Sequence, residues 1–110
     1  MSHPTEQDIE REIQRKRLDS PRVTPNDIDG VIKDTQYYIF PGTTTTVCCL
    51  TLENGYTVVG HSACASPANF NQALGEKIAQ QNAREKIWPL EGYLLRQCLF
   101  EDGENNETGQ

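Results

Sequence analysis

The sequence predicts a small α+β domain in which an antiparallel sheet is covered on one face by helices. Three observations carry that prediction. Asn54-Gly55 stands between the β-rich runs TTTVCCLTLE and YTVVGHS, the pattern of a tight hairpin. Thr24-Pro25 and Ser66-Pro67 each set a capping hydroxyl before a proline, the usual opening of a helix. Phe70, Ala73, Leu74, Ile78, Ala83 and Ile87 then recur at helical spacing.

Taken in order, residues 1–20 are charge-dense, with Ile9 and Ile13 spaced for a narrow helical stripe or for a frayed segment. Thr24 and Pro25 open a helix over 25–33, with Asp27 and Asp29 at its positive end and Ile28, Val31 and Ile32 as apolar contacts. The aromatic and β-branched stretch TQYYIF predicts a strand over 35–40, ended by Pro41-Gly42. The hairpin is expected over 45–52 and 56–63. As a two-residue type I′ turn it sets Leu52 opposite Thr57, Leu50 opposite Val59 and Cys48 opposite His61. A long helix follows from Ser66-Pro67, and Pro89 breaks it before a short C-terminal helix carrying Leu90, Tyr93, Leu94 and Cys98. The expected organisation is a charged, partly flexible segment over 1–20, one domain over 21–100 and a disordered acidic tail over 101–110.

Composition narrows the function. With 16 acidic and 10 basic residues the formal charge is −6, which argues against a DNA or RNA binder held by phosphate neutralisation. The acidity belongs to the ends: residues 1–20 and 100–110 hold nine acids and four bases, whereas 21–99 hold seven and six. No apolar run is long enough for a membrane span, and no signal peptide precedes the charged start, so a soluble cytoplasmic protein is expected. The four cysteines form no CxxC pair, which suits a reduced chain.

No phosphate loop, GxSxG turn, HExxH or DxDxDG pattern occurs, so neither an enzyme nor a bound metal or cofactor is expected. Cys48 and His61 could make a nucleophile and base or half a metal site, but they read more simply as sheet residues. What remains is binding chemistry. Ser66 at a helix start is an anion site or an ordinary cap. Phe70 is a stacking platform or a core residue. Asn82, among Gln80, Gln81 and Arg84, offers an amide or belongs to a solvated helix face. Arg96 lines an exposed face or the negative end of the last helix, and Arg22 could clamp a phosphate in a fork geometry or lie on the surface.

Three stretches carry more than their physics: PRVTPNDIDGVI at 21–32, LTLENGYTVVGHSACASPANFN at 50–71 and LGEKIAQQNAREKIWPLEGYLLRQ at 74–97. In this order they resemble a family of small phage and prophage proteins that includes the anti-Thoeris sponges. The resemblance implies sequestration, without cleavage, of the cyclic ADP-ribose isomer that signals in bacterial Thoeris immunity, with cyclic trinucleotides of CBASS as a second class of guest. It implies a homodimer that can extend to a trimer of dimers, in the cytoplasm of the infected host. It assigns Phe70 to base stacking, Arg96 and Ser66 to the pyrophosphate, Asn82 to a ribose or base edge, and Arg22 to a phosphate from a neighbouring chain. The competing expectation from another class is a phage protein that modulates a host protein by direct binding. Its acidic ends and amphipathic start supply the support.

Overall fold

The computed structural model describes residues 5–17 and 20–108. Among the described residues eight elements follow one another: α1 (Glu6–Arg15), α2 (Pro25–Val31), β1 (Ile32–Ile39), β2 (Thr46–Leu52), β3 (Thr57–Ser62), a 3-10 turn (Pro67–Asn69), α3 (Gln72–Glu85) and α4 (Ile87–Thr108). The strands form one antiparallel sheet in the order β1-β2-β3. The result is the expected α+β fold. α3 lies across one face of the sheet, over β2 and β3.

Both early helices begin with a capping box. Thr5 accepts from the Asp8 N–H while Asp8 accepts from the Thr5 N–H, and Thr24 and Asp27 repeat the exchange at α2. β2 shows the cleanest alternation: Thr46, Cys48, Leu50 and Leu52 are buried, and their neighbours less so. Together with Ile28, Val58, Ala79, Ala83 and Ile87 the apolar members of that row make the core. No helix is long and apolar enough to cross a membrane, among the described residues.

The hairpin differs from expectation by one residue. A type I′ turn requires positive φ at both Asn54 and Gly55, and only Gly55 has it, at +90°. Gly55 N–H instead donates to Leu52 O at 2.9 Å and Leu52 N–H to Tyr56 O at 2.8 Å, giving a three-residue loop, Glu53-Asn54-Gly55. The Asn54 carboxamide oxygen accepts from Tyr56 N–H and holds the loop in this form. Leu50 therefore faces Val58, and Cys48 faces Gly60. A slip of one residue exchanges the two faces of a strand. His61 sits opposite Val47 on the far side of the sheet, so the Cys48/His61 pairing does not exist.

The apolar stripe on α3 is also phased differently. Leu74 and Ile78, expected to face the core, are 54% and 40% exposed, and Ala73 is exposed as well. The buried row is Ala79 and Ala83, with Gly75 one turn earlier. Gly60 explains the choice. A Cβ there would lie 2.2 Å from Ala83 N and 2.4 Å from Ala79 O, so helix and strand meet backbone to backbone. Only small residues spaced by four fit such a gap.

The last helix is longer than expected, 22 residues, and takes in much of the segment read as a disordered tail. Pro89 does not break it. The break comes earlier, at Lys86, and Pro89 falls in the first turn of α4, where a helix N–H has no partner to lose. Ile87 is buried, and Trp88 and Leu90 pack on the core. From Arg96 to Gly103 every residue is exposed.

Candidate functional site

Two places on the molecule could receive a partner. The first is the corner where β3 leads through the 3-10 turn into α3. Thr44 clasps this corner: its hydroxyl donates to Cys64 O at 2.6 Å and accepts from Cys64 N–H at 3.1 Å. The Cys64 thiol lies 3.1 Å from Ser66 O. α3 is capped by Asn71, whose side chain accepts from Leu74 N–H at 3.0 Å, and not by Ser66, whose hydroxyl caps nothing even in the 3-10 turn. The start of the long helix therefore lies further along than Ser66-Pro67 implied. The first amides of α3, at Gln72 and Ala73, carry the positive end of a 14-residue helix.

Phe70 leans over that first turn, half-buried. A Cβ on Gly75 would stand 3.7 Å from the Phe70 ring, 3.6 Å from Ser62 Oγ and 3.0 Å from Thr46 Oγ1, so the missing side chain is what lets these groups close on the helix. Ser62 uses its hydroxyl to donate to Gly75 O at 2.8 Å. Thr46 is fully buried, and its hydroxyl has no hydrogen-bond partner among the described residues. Beside it burial pushes the Cys48 thiol above its ordinary range, with the nearby Cys49 and Glu76 adding to the shift. Cys48 is thus a packed, protonated thiol and not a ready nucleophile.

Of the residues singled out in the sequence, Ser66 and Phe70 share this corner. Asn82 lies ten residues beyond Gln72, about 15 Å along α3. Its amide nitrogen donates to His61 O at 2.8 Å, on the outer edge of β3. Arg96 is exposed on α4, nine residues past Ile87 or about 13 Å along the axis. Arg22 is engaged within the chain: both terminal nitrogens meet Glu10, at 2.6 and 2.7 Å. That bidentate contact holds the Glu10 carboxyl below its ordinary value, against the opposing effect of burial.

The second place went unmarked in the sequence. A cleft of about 740 Å³ opens under α1, between Ile9, Glu10 and Ile13 on the helix and Val23, Arg84 and Trp88 below. Arg84 is its hub. The guanidinium meets Glu6 at 2.9 Å, Asp29 at 2.6 Å and Pro25 O at 3.1 Å, while the Trp88 indole N–H donates to the same Glu6 at 3.1 Å. Burial pulls the Arg84 guanidinium down, but the bonds to Glu6 and Asp29 outweigh it and leave the group above its ordinary value. Arg84 is therefore no part of a solvated face. Its partners lie 78 and 55 positions away, and no local pattern marks such a pairing. None of Ser66, Phe70, Asn82, Arg96 and Arg22 lines this cleft.

Residues 23–99 match the model of the phage protein family described as N4 Gp49/phage Sf6 gene 66. The chain belongs to that family. The match takes in the α3 corner, Asn82 and Arg96, and leaves out α1 and Arg22. No curated protein and no solved structure gave a match. The matched residues thus run from just before α2 into α4, and α1, outside the match, is latched onto their Arg84 side.

Proposed function

We propose that this phage-family protein binds and sequesters, without cleaving, a cyclic ADP-ribose-type messenger of Thoeris immunity, with cyclic trinucleotides of CBASS as a second class of guest. The observation that carries the reading is the α3 corner. A half-buried aromatic ring, an uncommitted serine hydroxyl and the positive end of a 14-residue helix converge there, inside the segment that the family shares. An adenine stacked on Phe70 would gain about 1 to 3 kcal/mol. The pyrophosphate would take the Gln72 and Ala73 amides and the Ser66 hydroxyl. Asn82 would present its free carboxamide oxygen to a ribose or base edge, or exchange His61 O for the guest. A homodimer would complete the corner, with Arg96 reaching across from the α4 of the second copy. Arg22 joins only by releasing Glu10.

The test is capture and release. Mixing the protein with glycocyclic ADP-ribose should raise its melting temperature, and boiling should return the ligand chemically unchanged. Phe70→Ala and Arg96→Ala should each weaken capture at least tenfold while the unliganded fold persists. No melting shift with any cyclic ADP-ribose isomer or cyclic trinucleotide rejects the reading. A second reading, a phage protein that docks on a host protein, is favoured by the exposed Tyr93, Leu94 and Phe100 of α4. A boiled extract of the purified protein that holds no nucleotide, together with one saturable host protein in a pull-down that is lost on Leu94→Glu substitution, would select it.

A further inference from the structure

α1 is held like a docked ligand, and the way it is held describes what else would bind in its place. Its acids divide into two sets. Asp8 and Glu12 pair inside the helix, with Arg11, Arg15 and Lys16. Glu6 and Glu10, one turn apart, reach to the domain instead. Glu6 accepts from Arg84 Nε at 2.9 Å and from the Trp88 indole N–H at 3.1 Å, and Glu10 accepts from both terminal nitrogens of Arg22. Ile9 and Ile13 line the cleft between these latches, as do Val23 and Trp88 from the domain. The domain thus presents two guanidiniums, an indole N–H and an apolar floor. Such a surface selects carboxylates four residues apart on a helix, with apolar residues on the same face.

We propose that this groove is a docking site for an acidic amphipathic helix of a partner protein, with α1 as its intramolecular placeholder. The pattern it recognises is the one α1 displays, Glu6-x-x-Ile9-Glu10-x-x-Ile13. α1 meets the polar half of that requirement and not the apolar half. Ile9 stays 50% exposed, no residue of α1 is buried, and about 740 Å³ stays open between helix and domain, a volume typical of binding sites. A helix with the same two carboxylates and larger side chains at the two apolar positions would fill that space and gain the hydrophobic contact that α1 lacks. It needs that gain, because α1 competes from the same chain at an effective concentration of about 1 mM. Charge selects as well: a basic helix would confront Arg84 and Arg22, and Glu85 at the rim opposes acids placed elsewhere in the groove. Val23, Pro25, Arg84 and Trp88 of the groove lie within the residues that match the family, and α1 lies outside them, so receptor and placeholder are separate parts of the chain.

A peptide copying residues 5–16, with Ile9→Phe and Ile13→Phe, is the probe, and Trp88, the single tryptophan, reports on it. The full chain carrying Glu6→Ala and Glu10→Ala loses both latches and keeps the domain side of the groove unaltered. Added to it, the peptide should return the Trp88 emission toward that of the unaltered chain. It should also bind at least tenfold more tightly than to the unaltered chain, where α1 competes. The same peptide with Glu6→Gln and Glu10→Gln should bind at least tenfold more weakly. Equal binding of the two peptides, or none to the unlatched chain at millimolar peptide, overturns the proposal. Should the unlatched chain not fold, the unaltered one decides: millimolar peptide must speed amide exchange in α1 and leave the sheet as it was, and unmoved α1 exchange overturns the proposal. A nuclear Overhauser contact from the Trp88 indole N–H to Glu6 that arises between labelled and unlabelled chains, and not within one, gives the groove to α1 of a second copy and overturns it too. Messenger capture is read separately by its own melting shift, because Ser66, Phe70, Asn82 and Arg96 lie outside this groove.

Discussion

Two helices rest on this domain by opposite means. α3 meets the sheet backbone to backbone at Gly60, Ala79 and Ala83, and polar links from Ser62 to Gly75 O, Asn82 to His61 O and Lys86 to Val59 O stand only at the margins of that apolar seam. α1 buries no residue at all and is held by Glu6 to Arg84 and Trp88 and by Glu10 to Arg22, above a cleft it does not fill. The first attachment depends on shape and the second on charge. They should therefore fail under different treatments, the first taking the fold with it and the second leaving the fold behind.

The largest effect is expected at Gly60. A valine there has no free direction, because the obstructing atoms at 2.2 and 2.4 Å are backbone. Gly60→Val should force α3 off the sheet and abolish cooperative unfolding by calorimetry; a variant that melts like the unaltered chain would show that the seam is slack. Next comes Glu6→Ala, which removes the shared acceptor of Arg84 and Trp88. It should cost about 1 to 3 kcal/mol and shift the emission of Trp88, the single tryptophan, while the core stays folded. An unshifted spectrum would mean that α1 is not fastened by this carboxylate. The smallest effect is acid release. Arg22 holds Glu10 below its ordinary value of 4.5, so its contribution is complete above that pH and disappears as pH falls through the lowered value. Asp8 behaves alike, kept low chiefly by the Thr5 N–H and hydroxyl. Helical signal from α1 should fade below about pH 4 ahead of the sheet, and simultaneous loss of both would erase the distinction between the two attachments.

Much of the fold was readable because its signals are local. The Thr24-Pro25 cap, the hairpin around Asn54-Gly55 and the helical run after Phe70 each lie within a few residues of their cause. What escaped depends on distant partners. The phase of α3 is set by Gly60, 19 and 23 residues from the alanines it admits, so the larger Leu74 and Ile78 looked better suited to the core than they are. The hairpin register turned on the backbone angle of one asparagine. Within the candidate site, the sequence placed Ser66 beside Phe70 because both flank one turn. It could not show that Asn82 closes a strand edge, or that Arg22 is matched by Glu10 from a helix outside the shared family domain.

The three-residue loop at Glu53-Asn54-Gly55 works as the reading frame of the sheet. Every residue after it is assigned to a face by the number of residues it contains. Losing a single codon there would leave composition, charge and hydrophobic content nearly untouched. It would leave Leu52 and Tyr56 to close on a two-residue turn, and any pairing other than theirs would turn β3 over, carrying His61 toward Cys48 and Gly60 away from α3. A change of length in these three residues thereby puts the pairing of the whole strand at stake, where a change of letter does not.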